Sequence, residues 1–176
     1  MAYGVVRTDK MFGTDDRNGL VSAMYYVSTT PTSIDNGNVV LLDGLLSKTV
    51  GGDTVYEREI YKAVTPAANS PLKDIVLVAT PEVSVGLESY HRGLEYFTNP
   101  AGIPIRGYHL VTNDIFSVTK DALDGKSSPE IGDIVELKAG TKLNVVGSAT
   151  ASTTTVGSII GIEPVGTKTY YVIQVG

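Results

Sequence analysis

The amino-acid sequence predicts a mainly β protein, a small β-barrel or sandwich of antiparallel meanders with one or two short helices and an extended N-terminal arm. Two observations support this fold class. Short runs of β-branched and aromatic residues alternate with turn-forming residues along most of the chain. Nineteen glycines and eight prolines among 176 residues supply the many chain reversals that short strands need.

The sequence predicts one folding unit preceded by an N-terminal arm. A length of 176 residues is close to the usual size of a single domain. Residues 1–18 are largely polar and end at a run of turn-forming residues, 15–19. We therefore expect an extended arm over residues 1–18 and a single β-rich domain over residues 19–176.

Nine strands are expected in this domain. The first five are the β-prone runs at 20–29, 39–42, 56–64, 74–79 and 106–111. The turn formers of residues 35–38 stand directly before the second run and indicate a tight reversal there. A four-strand meander fills residues 131–176, with strands at 131–137, 142–146, 156–163 and 169–175.

Local patterns refine this reading. Leu143 and Val145 alternate with polar neighbours, as a half-buried strand requires. Apolar side chains recur at three- and four-residue steps over 85–97, which predicts a short helix. Residues 117–123 also predict one or two helical turns, with Ser117 or Thr119 as the N-cap and Gly125 as the stop.

Charge and cysteine content exclude several classes of function. The net charge of −5 and the pI near 5.0 repel a phosphate backbone, so we expect no nucleic-acid partner. No apolar stretch reaches the roughly 7–15 residues of a secretory signal or the roughly 20 of a membrane span, so we expect synthesis in the cytosol and no membrane partner. Cysteine is absent, which excludes disulfides, thiolate metal sites and cysteine nucleophiles.

The sequence contains no strong motif for catalysis or metal binding. His91 and His109 have no neighbouring ligands, whereas zinc sites need three or four. The sequence lacks a Gly-x-Ser-x-Gly elbow, and none of its glycine pairs is followed by the Lys-Ser or Lys-Thr of a P-loop. We therefore expect no enzymatic activity, no cofactor and no metal site.

Carboxylates close in sequence are the remaining candidates for chemistry: Asp15/Asp16, Glu57/Glu59 and Asp133/Glu136. Strand alternation puts Glu57 and Glu59 on one face, where a solvated surface is favoured over an acid–base pair. The reason is that glycosidase carboxylates usually come from different elements about 5–10 Å apart. Weak calcium binding at residues 15–18, and a hydrolase whose carboxylates converge in the fold, stay open as alternatives.

Tyrosine dominates the aromatic residues. The sequence has ten Tyr, three Phe and no Trp, a bias that suits interfaces as well as cores because the ring is apolar and the hydroxyl stays hydrogen-bonded. Alternation along a strand must turn the two rings of Tyr25-Tyr26, and those of Tyr170-Tyr171, to opposite faces.

Five segments together resemble the head decoration, or auxiliary capsid, proteins of tailed bacteriophages. They are residues 7–11, 34–40, 96–102 followed by 106–108, 114–119 and 132–137. The resemblance implies a β-rich cement protein without a cofactor that binds the major capsid protein on the outer face of the shell. It also implies self-association, typically as a homotrimer, and a virion location after assembly in the host cytoplasm.

The arm is the predicted capsid-binding element. An extended segment can add a strand to the edge of a coat-protein sheet and so gain main-chain hydrogen bonds. We expect the side chains that support this contact to be Tyr3, Val5, Arg7, Met11 and Phe12. Two alternatives remain: the arm is a frayed terminus, or the protein is a phage tail or fibre-associated adhesion module that binds host-surface glycans.

Overall fold

The structure is a computed structural model that describes residues 3–82 and 96–176. Strands make up 52% of the described residues and helical turns 8%, which confirms the mainly β fold class. The helix predicted over 85–97 falls almost entirely outside the described residues. None of the helical turns in the described ranges has the length and apolar character needed to cross a membrane.

The first sheet is formed by both ends of the chain. Its seven strands lie in the order β1 (Val6–Lys10), β8 (Ile115–Thr119), β13 (Lys168–Val175), β12 (Thr155–Val165), β10 (Ile134–Glu136), β11 (Leu143–Val146) and β9 (Leu123–Gly125). All neighbours are antiparallel except β9 and β11, which are parallel. The sheet therefore has β1 at one edge and β9 at the other.

The second sheet closes on itself. Its six strands lie in the order β3 (Thr30–Pro31), β2 (Leu20–Val27), β5 (Asp53–Val64), β4 (Val39–Val50), β6 (Ile75–Val78) and β7 (Ile105–His109). Strand β2 runs parallel to β5 on one side and antiparallel to β7 on the other. This double pairing closes β2, β5, β4, β6 and β7 into a small barrel-like ring.

Strand β6 contributes side chains to two hydrophobic cores, one on each of its faces. All four of its residues are buried, and alternation sends them in opposite directions. Ile75 and Leu77 pack between the two sheets, in the cluster that holds Phe116 of β8. Val76 and Val78 point into the ring instead. Each such side chain stabilises the fold by about 1.5–3 kcal/mol, so the apolar run of β6 fixes the sheets against each other.

The N-terminal arm is extended, but it belongs to the domain's own sheet. Strand β1 pairs with β8, and the backbone N–H of Val5 donates to the Thr119 hydroxyl at 3.1 Å. The short helix α1 (Phe12–Asp15) and a 3-10 turn (Arg17–Gly19) then lead into β2. The arm is therefore part of the folded domain, although the sequence predicts a boundary at residue 18.

The predicted helix over residues 117–123 is wrong in its first half. Residues 117–119 belong to β8, where Val118 pairs with both β1 and β13, and only Lys120–Ala122 form a 3-10 turn. The Thr119 hydroxyl does not cap that turn, because it accepts the Val5 N–H. Pairing with strands distant in sequence has overridden the local helix signal.

The four strands predicted after residue 131 are confirmed as β10 to β13, and Leu143 and Val145 are buried as the alternation predicted. Their order in space is β11-β10-β12-β13, so they form two hairpins joined between β10 and β12. The tight reversal before β4 is also confirmed, since Gly37 has a φ of +81°.

Alternation separates the paired tyrosines as predicted. Tyr25 is buried inside the ring, where its hydroxyl lies 2.7 Å from that of Thr65, while Tyr26 is half-buried. Tyr171 packs against the core between the sheets, and Tyr170 faces the other way. One ring of each pair is thus committed to a core.

Candidate functional site

The residues predicted to bind a capsid have different environments. Val5 and Met11 are 2% and 1% exposed, because they contribute to the chain's own core. Tyr3 and Arg7 are half-buried, and Phe12 is 45% exposed. In this fold the Val5 and Met11 side chains are covered by the chain itself, and Phe12 is the exposed apolar group; the capsid contact of these residues stays a prediction.

Arg7 fastens the edge strand to the outer face of its sheet. Its guanidinium lies over the Tyr170 ring, 4.5 Å from the ring centroid, and forms an ion pair with Glu163. It also donates a long hydrogen bond to the Ser117 hydroxyl at 3.4 Å. Arg7 thus links β1 to β8, β13 and β12, and its charge is already partnered within the chain.

The outer edge of β1 remains open. Among the described strands, only β8 pairs with β1, so the backbone groups on the other side of Val6–Lys10 have no strand beside them. Asp9 and Lys10 on this strand are exposed. An open edge of this kind can accept a strand from another protein.

Glu136 is a buried carboxylate that holds a loop together. It is 1% exposed, and its Oε1 accepts hydrogen bonds from Asn144 Nδ2 at 3.0 Å and Thr150 Oγ1 at 2.8 Å. Its Oε2 accepts from the Thr150 backbone N–H at 3.0 Å and from Thr153 Oγ1 at 2.9 Å. Burial by itself raises the pKa of Glu136, but these hydrogen bonds outweigh it, so the pKa lies below its ordinary value.

Asp133 closes a second loop and does not act together with Glu136. It accepts the backbone N–H of Glu130 at 2.7 Å and pairs with Lys126 at 3.0 Å. The backbone hydrogen bond from Glu130, together with the Lys126 charge, lowers the pKa of Asp133. Each carboxylate therefore has its own set of local donors, which is the arrangement of a structural anchor.

The remaining titratable candidates do not form a cluster. Glu57 pairs with Lys48 at 2.6 Å across the β4–β5 hairpin, whereas Glu59 lines a cleft. His109 lines the same cleft, and His91 lies outside the described residues. Within residues 3–82 and 96–176, no three His, Asp or Glu side chains are placed to hold a metal ion.

The most exposed apolar element is the β4–β5 hairpin, which projects beyond the ring. Strand β6 pairs with β4 only over residues 39–41, and β2 pairs with β5 only over residues 60–64. Beyond these limits no described strand covers either outer edge. Four large apolar side chains of this hairpin are exposed to solvent, namely Leu45 at 42%, Val50 at 53%, Val55 at 43% and Tyr56 at 63% exposure.

Sequence reasoning missed this hairpin, although a signal was present. The β-prone runs 47–50 and 53–56 are separated by Gly51 and Gly52, which both have positive φ. Two such runs around a two-residue glycine turn are typical of a hairpin. The sequence predicts a tight strand turn at Gly51-Gly52 and an end of the second strand at residue 42; the structure confirms the turn, but it extends β4 to Val50 and starts β5 at Asp53.

A cleft of about 930 Å³ lies at the base of the hairpin. Its lining is mixed, with slightly more polar than apolar surface: Leu20, Val21 and Ile60 contribute apolar groups, and Glu59 and His109 contribute polar ones. Glu59 has a φ of +37°, an unusual conformation for a residue with a side chain inside a strand. The cleft is thus bordered by the same hairpin whose tip is exposed.

The segments that resemble decoration proteins meet one another in the fold. Asn99 binds the main chain of Ile34 through its own backbone, and its side chain donates to Asn36 Oδ1 at 3.1 Å. Arg7 pairs with Ser117 where β1 lies beside β8. These contacts account for the segments as parts of the scaffold. Comparisons with known proteins add no relative: no protein-family model matches the chain, and no curated protein or solved structure is significantly similar to it.

Proposed function

We propose that this chain is a structural virion protein that binds the outer surface of a bacteriophage capsid, where it decorates or stabilises the shell as a homotrimer. The resemblance of five sequence segments to head decoration proteins supports the proposal. The observation that carries it in the structure is adhesive surface of two kinds on one small domain, an open sheet edge at β1 and an apolar hairpin at β4–β5.

Both surfaces fit association with protein. An open edge offers unpaired backbone donors and acceptors to another strand. A two-stranded ribbon with solvent on both sides is only marginally stable by itself, so the hairpin gains from being covered. A protein repeated many times over a shell needs only a modest contact area in each copy, and these two elements supply such an area.

The capsid contact is assigned to the β1 edge and to Phe12. The backbone of Val6–Lys10 would add to a strand of the coat protein, with Phe12 buried in an adjoining groove. Val5 and Met11 support the edge from inside, because they anchor it to the core. Burial of Phe12 would contribute about 1.5–3 kcal/mol, a factor of about 10–100 in the dissociation constant.

The test is sedimentation with heads that lack the protein. Purified protein is mixed with undecorated heads over a range of salt concentrations, and the pellet is assayed for the protein. We expect saturable co-sedimentation, and weaker binding by Phe12→Ser with unchanged thermal stability. Ile103→Ser is the matched control, since Ile103 is also exposed, at 54%, on a different loop. Failure to co-sediment at any salt concentration would rule the proposal out.

A glycan-binding adhesion module is the second candidate, favoured by the cleft. Tyr61 provides an aromatic ring there, and Glu59, His109 and Asn18 provide hydrogen-bonding groups. Binding to a glycan array that is lost in Tyr61→Ala, together with no binding to heads, would establish this function in place of the first.

A further inference from the structure

We propose that the tip of the β4–β5 hairpin, residues 47–56, inserts into the cleft of the next copy of the chain, and that three copies close into a ring by this contact. The number three rests on the proposed function. The contact itself is argued from the two surfaces, and each copy carries both of them.

The tip has the shape and surface of an inserting element. Its four residues per strand reach about 13 Å at about 3.3 Å per residue. Gly51 and Gly52 form the turn, and an added Cβ at either would meet no atom within 4 Å, so the end is narrow and unobstructed. Val50, Val55 and Tyr56 surround it with exposed apolar surface.

The cleft has the matching surface. The apolar part of its mixed lining, from Leu20, Val21 and Leu45, would cover the apolar side chains of an incoming tip. The hairpin itself forms part of the cleft wall through Leu45, Glu59 and Ile60. Ile60 also lines a second hollow of about 440 Å³ that runs on to Lys48, Val55 and Tyr56. The two hollows therefore follow the hairpin from its base toward its tip.

Charge fixes the direction of the contact. Glu59 in the cleft has no salt bridge to a cation of the described residues, whereas Lys48 near the tip is paired with Glu57 and keeps 58% of its side chain exposed. A lysine ammonium has three N–H donors, so Lys48 can bind Glu57 and a second carboxylate together. A tip that enters a neighbouring cleft brings Lys48 of one copy to Glu59 of the next.

A second copy fits these surfaces better than a foreign protein. Each chain offers one tip and one cleft, so a foreign partner that took only one of them would leave the other open. A head-to-tail contact between identical copies fills both, provided that the rotation closes the ring. The closed ring leaves the β1 edge of every copy outside the contact, available to a capsid.

The first experiment is a charge exchange read out by sedimentation-velocity analytical ultracentrifugation over a dilution series. Wild type is expected to be a trimer, and Lys48→Glu or Glu59→Lys to dissociate about 10–100-fold more readily because each brings like charges together. The double variant Lys48→Glu/Glu59→Lys should recover assembly. Lys73→Glu is the control, because Lys73 is an exposed lysine on a distant 3-10 turn. Circular dichroism establishes that each variant is folded.

The second experiment makes use of a chain without cysteine. Val50→Cys at the tip and Val21→Cys in the cleft are combined in one chain, and oxidation should yield a covalent trimer on a denaturing gel. Either single variant should yield at most a dimer. A wild type that stays monomeric, or a trimer that tolerates both charge reversals and gives no cross-link between positions 21 and 50, would overturn the inference.

These outcomes separate this inference from the proposed function. A ring that forms through the hairpin but does not bind heads leaves the inference standing and removes the capsid role. If wild type and Lys48→Glu decorate heads equally well and no cross-link forms, the capsid role stands and this inference is refuted. A glycan that binds the cleft while the trimer persists would also overturn it, because the cleft would then be unoccupied by a tip.

Discussion

Replacement of Glu136 tests whether the buried carboxylate organises the loop over residues 147–154. Its four hydrogen bonds come from Asn144, Thr150 and Thr153. Hydrogen bonds to a charged group contribute about 1.5–3 kcal/mol each when fully buried, and less here because Thr150 is exposed and water can replace part of them. We expect Glu136→Ala to lower the free energy of unfolding by about 3 kcal/mol.

The isosteric change Glu136→Gln should cost about half as much, roughly 1.5 kcal/mol, because the amide keeps one oxygen acceptor and loses the charge. At about 2.1 cal/mol/K of unfolding entropy per residue, a chain of 176 residues loses about 8 °C in Tm for the alanine variant and about 4 °C for the glutamine variant. Differential scanning calorimetry at neutral pH measures both.

Glu130→Ala is the control for these variants. Glu130 is a carboxylate of the same type, 73% exposed, and it pairs with Lys126. Exposed pairs contribute about 0–1 kcal/mol, so its Tm should barely change. A Glu136→Ala variant that melts within 1–2 °C of wild type, about the change expected for a surface residue, would show that the four contacts do not stabilise the loop.

The pH dependence gives an independent check on Glu136. Its pKa in the folded protein lies below the unfolded value of about 4.3, so the carboxylate stabilises the fold fully above that pH. This contribution is lost as the pH falls through the folded-state pKa. The stability difference between wild type and Glu136→Gln should therefore shrink in acid, and a difference that stays constant from neutral pH to pH 3, about one unit below that value, would contradict the assignment.

Three further predictions address the scaffold. Removing the N-terminal arm should destabilise the protein, since Met11→Ala alone is expected to cost about 2–5 kcal/mol; an unchanged urea midpoint would refute this. Gly157→Ala should prevent stable folding, because its Cβ would lie 1.9 Å from the Gln174 carbonyl oxygen, whereas Gly147→Ala meets no atom within 4 Å and should be neutral in the same assay. Asp133→Asn should destabilise at neutral pH and lose its effect in acid, as the lowered pKa of Asp133 requires.

The strands with clear local signals could be predicted from the sequence. Alternation identified β11 through Leu143 and Val145, and the Asn36-Gly37 turn marked the start of β4. The helix predicted at residue 117 failed because β8 is held by β1 and β13, which are more than 50 residues away on either side. The closure of the ring through β2 and β7 has the same origin, since no local pattern encodes a pairing between distant segments.

The candidate functional residues show the same contrast between local sequence signals and contacts with distant segments. The polar N-terminal segment predicts an extended arm, but its Val5 and Met11 side chains are buried, and Met11 belongs to the hydrophobic cluster that includes Phe116 and Val145. Glu136 stood among the paired carboxylates, yet its burial depends on a loop about 15 positions away that supplies the donors. The glycine pair at 51–52 predicted a turn, but the polar residues around it did not predict that β4 and β5 continue as far as that turn.

Ring closure also has a consequence for how the protein reaches its native state. Leu20 of β2 pairs with Tyr108 of β7, so the barrel-like ring cannot close until β7, which lies much later in the chain, has been synthesised and has paired with β2. Topologies dominated by such distant pairings fold slowly, and the waiting edges can meet other chains in the meantime. We therefore expect refolding over milliseconds to seconds, with yields that fall as protein concentration rises.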